Sequence, residues 1–216
     1  MKPVAEYKEP SGYGTGELTE KRSRFIGEIW RVGTEEEAKL RIGEAKARFH
    51  DARHSCWCYV VREGAVLRYS DDGEPQGTAG QPMLEMLRRQ GVENVCCVVT
   101  RYFGGIMLGP GGLARAYTGA CGLALDDAGI SLVSTWKRCE ITCAYNQFDR
   151  VRSEATGFGG VIENVEYGES ITVTALFAAA SLSEFNERIG ELTSGKLSAR
   201  ELEEAYIPVP LGKAKD

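Results

Sequence analysis

A glycine-rich segment, Arg101–Arg115, carries the residues of this chain that are best suited to bind an anion. It follows an apolar run over 95–99 that predicts a buried strand, and Ala114–Leu125 predicts a packed helix. A glycine-rich crossing from a strand to a helix exposes backbone N–H groups near a helix N-terminus, where phosphate binds readily. The terminal arginines add planar, positively charged donors. Alternatively, the glycines only allow a tight turn and close packing.

This segment departs from the known phosphate-binding loops. Gly104 and Gly109 have the glycine spacing of a P-loop, but Pro110 and Gly111 stand where that motif needs Lys and Ser or Thr. The stretch 109–114 fits G-x-G-x-x-A, but it starts well past the strand and the order of the surrounding elements is wrong for a dinucleotide site. Hydrolysis of nucleoside triphosphates and dinucleotide binding are therefore poorly supported.

The loop 70–80 holds three carboxylates within four residues, namely those of Asp71, Asp72 and Glu74. Such a group could hold Mg²⁺ or act as acid and base. The alternative, which the turn-rich composition of the loop favours, is that the aspartates cap local N–H groups.

A third cluster contains His50 and His54, followed by Cys56 and Cys58. Structural zinc usually takes two ligand pairs at C-x2–4-C and H-x3–5-H spacing, but here the histidine pair spans a helix end and a strand start. The two cysteines alternate along a strand, where residues two apart share one face. A cysteine–histidine nucleophile is also conceivable. We expect instead that both cysteines face the core and that His54 makes a structural hydrogen bond, with no metal bound.

Basic residues form a fourth group, and aromatic residues lie near them in sequence or strand order. Its cations are Lys21, Arg22, Arg24, Arg53, Arg88, Arg89, Arg101 and Arg115, and its aromatics are Trp57, Tyr102 and Phe103. Cations beside aromatic stacking platforms are used to bind single strands and structured RNA. The alternative is that these are solvated charges balanced by neighbouring acids.

Composition limits the function classes. The 216 residues are 43% hydrophobic, which supports a core, and the net charge of −5 argues against a generally basic nucleic-acid binder. Residues 1–134 carry a net charge of −1 and residues 135–216 a net charge of −4, so a nucleic-acid surface would be a local patch in the first part. The seven cysteines and the lack of an apolar N-terminal stretch predict a cytoplasmic protein with reduced thiols and no membrane partner.

Hydrophobic periodicity predicts an α+β chain. We interpret residues 1–134 as one domain, residues 135–207 as a second domain with a split βαβ, or ferredoxin-like, order, and residues 208–216 as a tail. Residues 1–20 are interpreted as a loosely held arm. Thr34 and Glu37 predict a capping box, and Ser181 is a candidate cap for a helix that starts at 182.

Four segments together resemble the YigZ/IMPACT family: 21–26, 52–56, 71–80 and 101–117. The resemblance covers roughly residues 15–130, and the remainder resembles the small domain that bacterial members append. It implies an N-terminal domain with the fold of ribosomal protein S5 domain 2 and a ferredoxin-like C-terminal domain, a pair similar to domains IV and V of elongation factor G. Eukaryotic members regulate translation by competing for the activator of a starvation-responsive initiation-factor kinase.

These observations favour a non-enzymatic cytoplasmic protein whose partner is RNA, the ribosome or a translation-related protein, with no cofactor. The alternative is a nucleotide-dependent or other small-molecule enzyme that uses the glycine-rich segment and the acidic loop, by analogy with kinases of similar fold. Acids and arginines converging in one groove would favour the enzyme, and arginines alone on an open face would favour nucleic acid. The candidate phosphate-binding residues are Lys21, Arg24, Arg53, His54, Arg101, Tyr102, Gly104, Gly105, Gly111, Gly112 and Arg115.

Overall fold

The computed structural model describes residues 6–211 of the chain. Within them, ten strands and five helices form two antiparallel sheets, which confirms the predicted α+β class. The chain divides into two compact units. The N-terminal unit comprises residues 7–132 together with the segment from 208, and the C-terminal unit comprises 133–207 together with Glu6.

The N-terminal unit contains six strands and three helices in the described residues. The strands are β1 (Tyr7–Pro10), β2 (Gly14–Glu20), β3 (Ser23–Arg31), β4 (His54–Val61), β5 (Val66–Ser70) and β6 (Val95–Tyr102). The helices are α1 (Glu35–Arg48), α2 (Gly80–Arg89) and α3 (Pro110–Ala128). Strands β2 to β6 form an antiparallel sheet in the order β2-β3-β6-β4-β5.

The central strand β6 shows why this sheet has two buried faces. Cys97 and Val99 point to the face covered by α2 and α3, whereas Cys96 and Val98 point to the face covered by α1. An apolar run without alternation is the pattern expected of a strand buried on both sides. Arg101 continues the first of these series at the end of β6, so it points to the same face as α3.

Helix α3 lies directly against the backbone of the sheet. A Cβ at Gly27 of β3 would come within 2.4 Å of the Ala120 carbonyl oxygen, so this close approach requires glycine. The N-terminus of α3 is thereby held at a fixed place relative to the sheet.

Helix α1 begins as predicted, with one difference in the cap. The Thr34 hydroxyl accepts a hydrogen bond from the Glu37 N–H at 3.1 Å. The Glu37 carboxylate accepts from the N–H of Gly33 at 2.7 Å, one residue before the position that a capping box requires.

The prediction of a loose N-terminal arm is wrong for residues 7–20, which form β1 and β2. Glu9 is buried, and its carboxylate accepts hydrogen bonds from Arg31 at 2.6 Å and from the Asn94 side chain at 3.2 Å. The N–H of Glu93 also donates to the Lys8 carbonyl at 2.8 Å. These distant partners order β1, whereas β2 pairs along its whole length with the adjacent strand β3. Residues 1–5 lie outside the described part.

The C-terminal unit follows the order strand, helix, strand, strand, helix, strand. Its elements are β7 (Ile130–Cys143), α4 (Phe148–Gly157), β8 (Val161–Tyr167), β9 (Ile171–Ala178), α5 (Ala179–Thr193) and β10 (Arg200–Pro210), where β7 and β10 also extend into the N-terminal unit. In sheet order, β10 lies beside β7, followed by β9 and β8.

Two boundaries differ from the prediction. Helix α5 starts at Ala179 and has no side-chain cap, so Ser181 lies inside it because the helix continues back to the end of β9. Strand β10 runs to Pro210, and the N–H of Leu211 donates to the Ile130 carbonyl at 2.8 Å. The predicted tail therefore begins within a paired strand, and residues 212–216 lie outside the described part.

Candidate functional site

The four sequence blocks converge at one end of the N-terminal sheet. Arg101, at the end of β6, lies opposite His54 at the start of β4 and opposite Phe25 of β3. The Ser23 hydroxyl accepts hydrogen bonds from the Gly104 N–H at 3.1 Å and from Arg101 Nη2 at 3.3 Å. The antiparallel register therefore brings the ends of three strands together with the segment that follows β6.

Gly104 allows the segment after β6 to contact the turn between β2 and β3. A Cβ at this residue would lie 2.1 Å from the carbonyl carbon and oxygen of Arg22, which a side chain cannot do without moving the backbone. The two residues of that turn, Lys21 and Arg22, have positive φ and are exposed. The glycine therefore places the two cations beside the segment. Gly105, with φ of 84°, turns the chain away from it.

Asp71 organises the acidic loop. Its Oδ2 accepts from the N–H of Gly77 at 2.8 Å, and its Oδ1 accepts from the N–H groups of Ala79 at 3.1 Å and Gly80 at 2.9 Å. Both oxygens are thus engaged by the N-terminus of α2 and the turn before it. The capping role is the one that the turn-rich sequence favours.

Asp72 ties the loop to α1 and β4. It accepts hydrogen bonds from Lys46 Nζ and from the Ser55 N–H, both at 2.8 Å. Partial burial opposes its ionisation, but these two donors outweigh it and hold the pKa of Asp72 below its usual value. His54 Nδ1 lies 2.8 Å from the Asp72 carbonyl oxygen, and because a carbonyl can only accept, Nδ1 carries the proton. The predicted structural hydrogen bond of His54 is therefore present.

Glu74 and Arg101 form a buried ion pair. Arg101 Nη1 donates to Glu74 Oε1 at 2.6 Å, and the side chains are only 7% and 4% exposed. The Tyr117 hydroxyl of α3 donates to the same oxygen at 2.9 Å. The Arg101 guanidinium also lies 5.4 Å from the ring centroid of Phe25 and 5.3 Å from that of Phe103.

The thiol beside this pair is not activated. The Cys56 Sγ donates to the Asp71 carbonyl at 2.9 Å. Burial, opposed by a contact with Tyr117, raises the pKa of Cys56 to about 12, and burial together with Cys56 and Glu74 raises the pKa of Tyr117 well above its usual range. Cys56 is therefore a protonated core residue, as the alternation of β4 predicts.

A cavity of about 340 Å³ opens above the ion pair, and we call it the α3 pocket. Its lining combines charged or polar groups with an apolar wall: Arg53, His54, Glu74, Pro75, Arg101, Phe103, Met107, Leu108, Gly109, Pro110 and Leu113. Phe103 and Met107 are 53% and 87% exposed, and Ile106 beside them is also exposed. A cluster of exposed large apolar side chains at the mouth of a cavity is typical of a binding site.

The N-terminus of α3 forms one edge of the pocket. Gly109 has φ of 72° and no side chain that could cap the helix, and Pro110 at the first position has no N–H. The N–H groups of Gly111 and Gly112 belong to the first turn, where a helix has no internal acceptors. Arg115 Nη1 would lie 3.6 Å from a Cβ placed on Gly111, so a guanidinium stands beside this end of the helix.

Two predicted site residues lie on the other face of the sheet. Arg24 and Tyr102 are paired in the register of β3 and β6, one residue out of phase with Phe25 and Arg101. Arg24 makes a two-pronged ion pair with Glu17 at 2.6 and 2.8 Å, and the Tyr102 hydroxyl donates to Asp51 at 2.7 Å. Since side chains alternate along a strand, neither reaches the α3 pocket.

Tyr117, Met107 and Leu108 are parts of the site that the sequence analysis did not select. Tyr117 lies four residues after Leu113 on α3, so helical spacing places both on the face that meets the pocket. That spacing was available in the sequence, whereas the contact of Tyr117 with Glu74 has no local signal.

A larger cavity, of about 450 Å³, lies elsewhere in the N-terminal unit between β4, β5 and the end of α2. It contains none of the four sequence blocks, and two of its three charged lining residues, Arg62 and Glu93, form an ion pair with each other. We therefore place the candidate site at the smaller α3 pocket.

Within residues 6–211, no three His, Cys, Asp or Glu side chains are grouped as metal ligands. No helix in that same part is both long and apolar enough to span a bilayer.

Comparison with known proteins covers both units. Residues 21–125 match the model of the Impact N-terminal domain, and residues 141–196 match that of a domain of unknown function, DUF1949. The IMPACT family member YvyE of Bacillus subtilis is 34% identical over 204 residues, which cover 94% of each chain. The IMPACT family member YigZ of Escherichia coli is 34% identical over 187 residues, 85% of this chain and 92% of that protein. A crystal structure described as that of a hypothetical protein aligns with a TM-score of 0.57 and 32% identity over 93% of this chain and 98% of that one.

Proposed function

The chain belongs to the IMPACT family, and we propose that it is a non-enzymatic protein that binds RNA of the translation machinery at the α3 pocket. The observation that carries the proposal is that the exposed ring of Phe103, the N-terminal residues of α3 and the cation Arg53 all line one pocket. An aromatic ring with one free face stacks any nucleobase, and a helix N-terminus beside arginines accepts phosphate. One site thus offers contacts to both parts of a nucleotide.

The cations that face solvent define the path we propose for the RNA backbone. Arg53 lines the pocket, Arg115 flanks the N-terminus of α3, and Lys21 lies in the turn that Gly104 contacts. Arg101 takes a different role, because it is buried and paired with Glu74. We assign it to holding the pocket in shape rather than to binding phosphate, which changes the role expected from its residue type alone.

The enzyme alternative loses support from the same contacts. An acid and an arginine do converge in the pocket, which would favour an enzyme, but they neutralise each other as an ion pair. Asp71 and Asp72 already accept backbone N–H groups and Lys46. A thermal-shift panel of nucleotides with Mg²⁺ tests the alternative, since stabilisation by a nucleoside triphosphate would favour it.

The test of RNA binding is a titration of fluorescein-labelled single-stranded RNA, followed by anisotropy, at several salt concentrations. Three phosphate contacts predict a slope of about −2 in log K against log salt, so affinity falls roughly 10- to 20-fold between 50 and 200 mM salt. Arg53→Gln and Arg115→Gln should each weaken binding and reduce the slope by about one contact. Arg89→Gln, at the far end of α2, removes the same charge and should leave both unchanged.

Two outcomes would count against the proposal. One is affinity that does not change with salt, and the other is an equal effect of Arg53→Gln and the control Arg89→Gln. Tight binding of a protein from the translation machinery without RNA would instead support the protein-partner version of this function.

For the fold, we propose the finer assignment that the family resemblance implies. The order of elements in the C-terminal unit, βαββαβ from β7 to β10, supports a ferredoxin-like domain. The resemblance to ribosomal protein S5 domain 2 remains a proposal for the N-terminal unit.

A further inference from the structure

Glu74 lines the α3 pocket, and the two oxygens of its carboxylate differ in their contacts. The two hydrogen bonds that its side chain accepts, from Arg101 and Tyr117, both go to Oε1. Among residues 6–211, the buried side-chain atoms without a hydrogen-bond partner are Glu28 Oε2 and Arg101 Nε, so Glu74 Oε2 is not a buried orphan. The Glu74 side chain is only 4% exposed, and it lines the cavity. Because the Arg101 and Tyr117 donors occupy Oε1, Oε2 is the carboxylate oxygen that can accept an N–H from a ligand in the pocket.

We propose that the α3 pocket is a nucleobase subsite that selects bases with an exocyclic amino group through Glu74 Oε2. This inference rests on the RNA-binding function proposed above and specifies what its pocket recognises. It predicts preference for adenine, cytosine and guanine over uracil.

The shape and lining of the pocket fit a base. The half-exposed ring of Phe103 offers a flat face, and Leu108, Pro110 and Leu113 add apolar lining to the polar groups. The volume of about 340 Å³ is at the small end of the range for ligand pockets, which suits a single ring system better than a larger molecule. Because the wall is apolar and Glu74 is deep, the base and not the phosphate is the part that fits inside.

The selectivity follows from the donors that each base carries. Adenine, cytosine and guanine each have an amino group that can donate to Oε2. Uracil has only a ring N–H, which lies between two carbonyl oxygens, and these would approach the carboxylate with like partial charge. A hydrogen bond to a charged, buried acceptor should separate the two classes by about tenfold or more.

The first experiment uses the unaltered chain with labelled oligonucleotides of A, C or U, matched in length and at one salt concentration. We expect the A and C oligonucleotides to bind about tenfold more tightly than the U oligonucleotide. Equal affinity for all three would overturn base selection while leaving RNA binding intact. Absence of binding to every oligonucleotide would overturn both proposals.

The second experiment uses Glu74→Gln, for which the structure predicts a reversal. Arg101 and Tyr117 both donate to the Oε1 position, so the amide carbonyl should occupy it and the NH₂ group should face the pocket. The variant should then prefer U, whose carbonyl groups accept. Unchanged preference for A and C would overturn the proposal, and thermal unfolding reports whether the variant is folded. If it is not, the titrations of the unaltered chain decide.

A third arm distinguishes RNA from free nucleotides as the source of the base. AMP and UMP are titrated alongside the oligonucleotides. Weak binding of AMP that is still stronger than that of UMP supports a subsite within an RNA surface. Binding of AMP as tight as that of the A oligonucleotide supports the base subsite but overturns the RNA function.

Discussion

The buried pair of Arg101 and Glu74 allows a quantitative test of how the pocket is held together. Arg101→Met keeps much of the volume but removes the partner of a carboxylate that is only 4% exposed. Removal of one member of a buried ion pair costs about 3–5 kcal/mol, because the other charge stays buried without compensation. Loss of the contacts with the Phe25 and Phe103 rings adds about 0.5–1 kcal/mol.

A matched control lies on the neighbouring strand. Arg24 pairs with Glu17 at the same 2.6 Å, but the two side chains are 52% and 49% exposed. An exposed pair contributes about 0–1 kcal/mol, so Arg24→Met should change stability by no more than that. The two variants thus make the same chemical change at opposite extremes of burial.

The assay is equilibrium unfolding in urea. Two of the three tryptophans, Trp30 and Trp57, lie in the N-terminal unit, so tryptophan fluorescence reports mainly on the unfolding of that unit. A second probe, such as circular dichroism, tests whether a single two-state transition describes the data. A loss of less than about 1 kcal/mol for Arg101→Met, equal to that for Arg24→Met, would refute the argument. The loss of unfolding free energy in the double variant Arg101→Met/Glu74→Gln should be smaller than the sum of the losses in the two single variants, because no buried charge is then left without a partner.

Three further predictions concern the frame of the site. Gly104→Ala should destabilise the chain by about 1–3 kcal/mol because its Cβ would meet the Arg22 backbone, whereas Gly43→Ala in α1, with open space around it, should stabilise by about 0.5–1 kcal/mol; thermal unfolding compares the two. The lowered pKa of Asp72 contributes stability that is present above its unfolded pKa of about 3.9 and is lost as the pH falls through the lower folded value. Asp72→Asn and Lys46→Met should therefore both flatten the acid side of the stability profile below about pH 4, and an acid limb as steep as that of the unaltered chain would contradict this. All seven cysteines are buried, so Ellman's reagent at pH 8 should label none of them quickly in the folded chain and all of them in denaturant; rapid labelling of the folded chain would show that a thiol is accessible.

The strands and helices could be predicted from the sequence wherever a regular pattern was long enough. The unalternated apolar run of β6 and the spacing of Ala38, Ile42 and Ala45 in α1 each identify a buried element. The short strand β1 could not be predicted, because its order comes from partners such as Arg31 and Asn94 that lie far away in sequence. Strand β2 pairs with the adjacent strand β3, but its polar, glycine-rich sequence lacks the apolar alternation of a strand.

The site was predictable as a set of segments but not as a set of contacts. The four blocks do converge, yet the partner of Arg101 is 27 residues away and nothing in the local sequence distinguishes Glu74 from the neighbouring aspartates. The face of each strand residue was open to prediction, since Arg24 and Tyr102 are out of phase with Phe25 and Arg101. Residue type alone placed all these cations and aromatics in one patch, whereas strand alternation separates them.

The return of the chain at Leu211 has a consequence for biosynthesis. The N-terminal unit includes residues from 208 onward, and the Leu211 N–H bonds to Ile130, whereas the intervening C-terminal unit ends at 207. Since ribosomes make the chain from its N-terminus and domains tend to fold as units, the C-terminal unit is complete before the last strand residues of the N-terminal unit have been added. The nascent chain therefore carries Ile130 without this partner until residue 211 has been made, and the unit that contains the α3 pocket acquires this hydrogen bond only after residues 133–207 of the other unit have been synthesised.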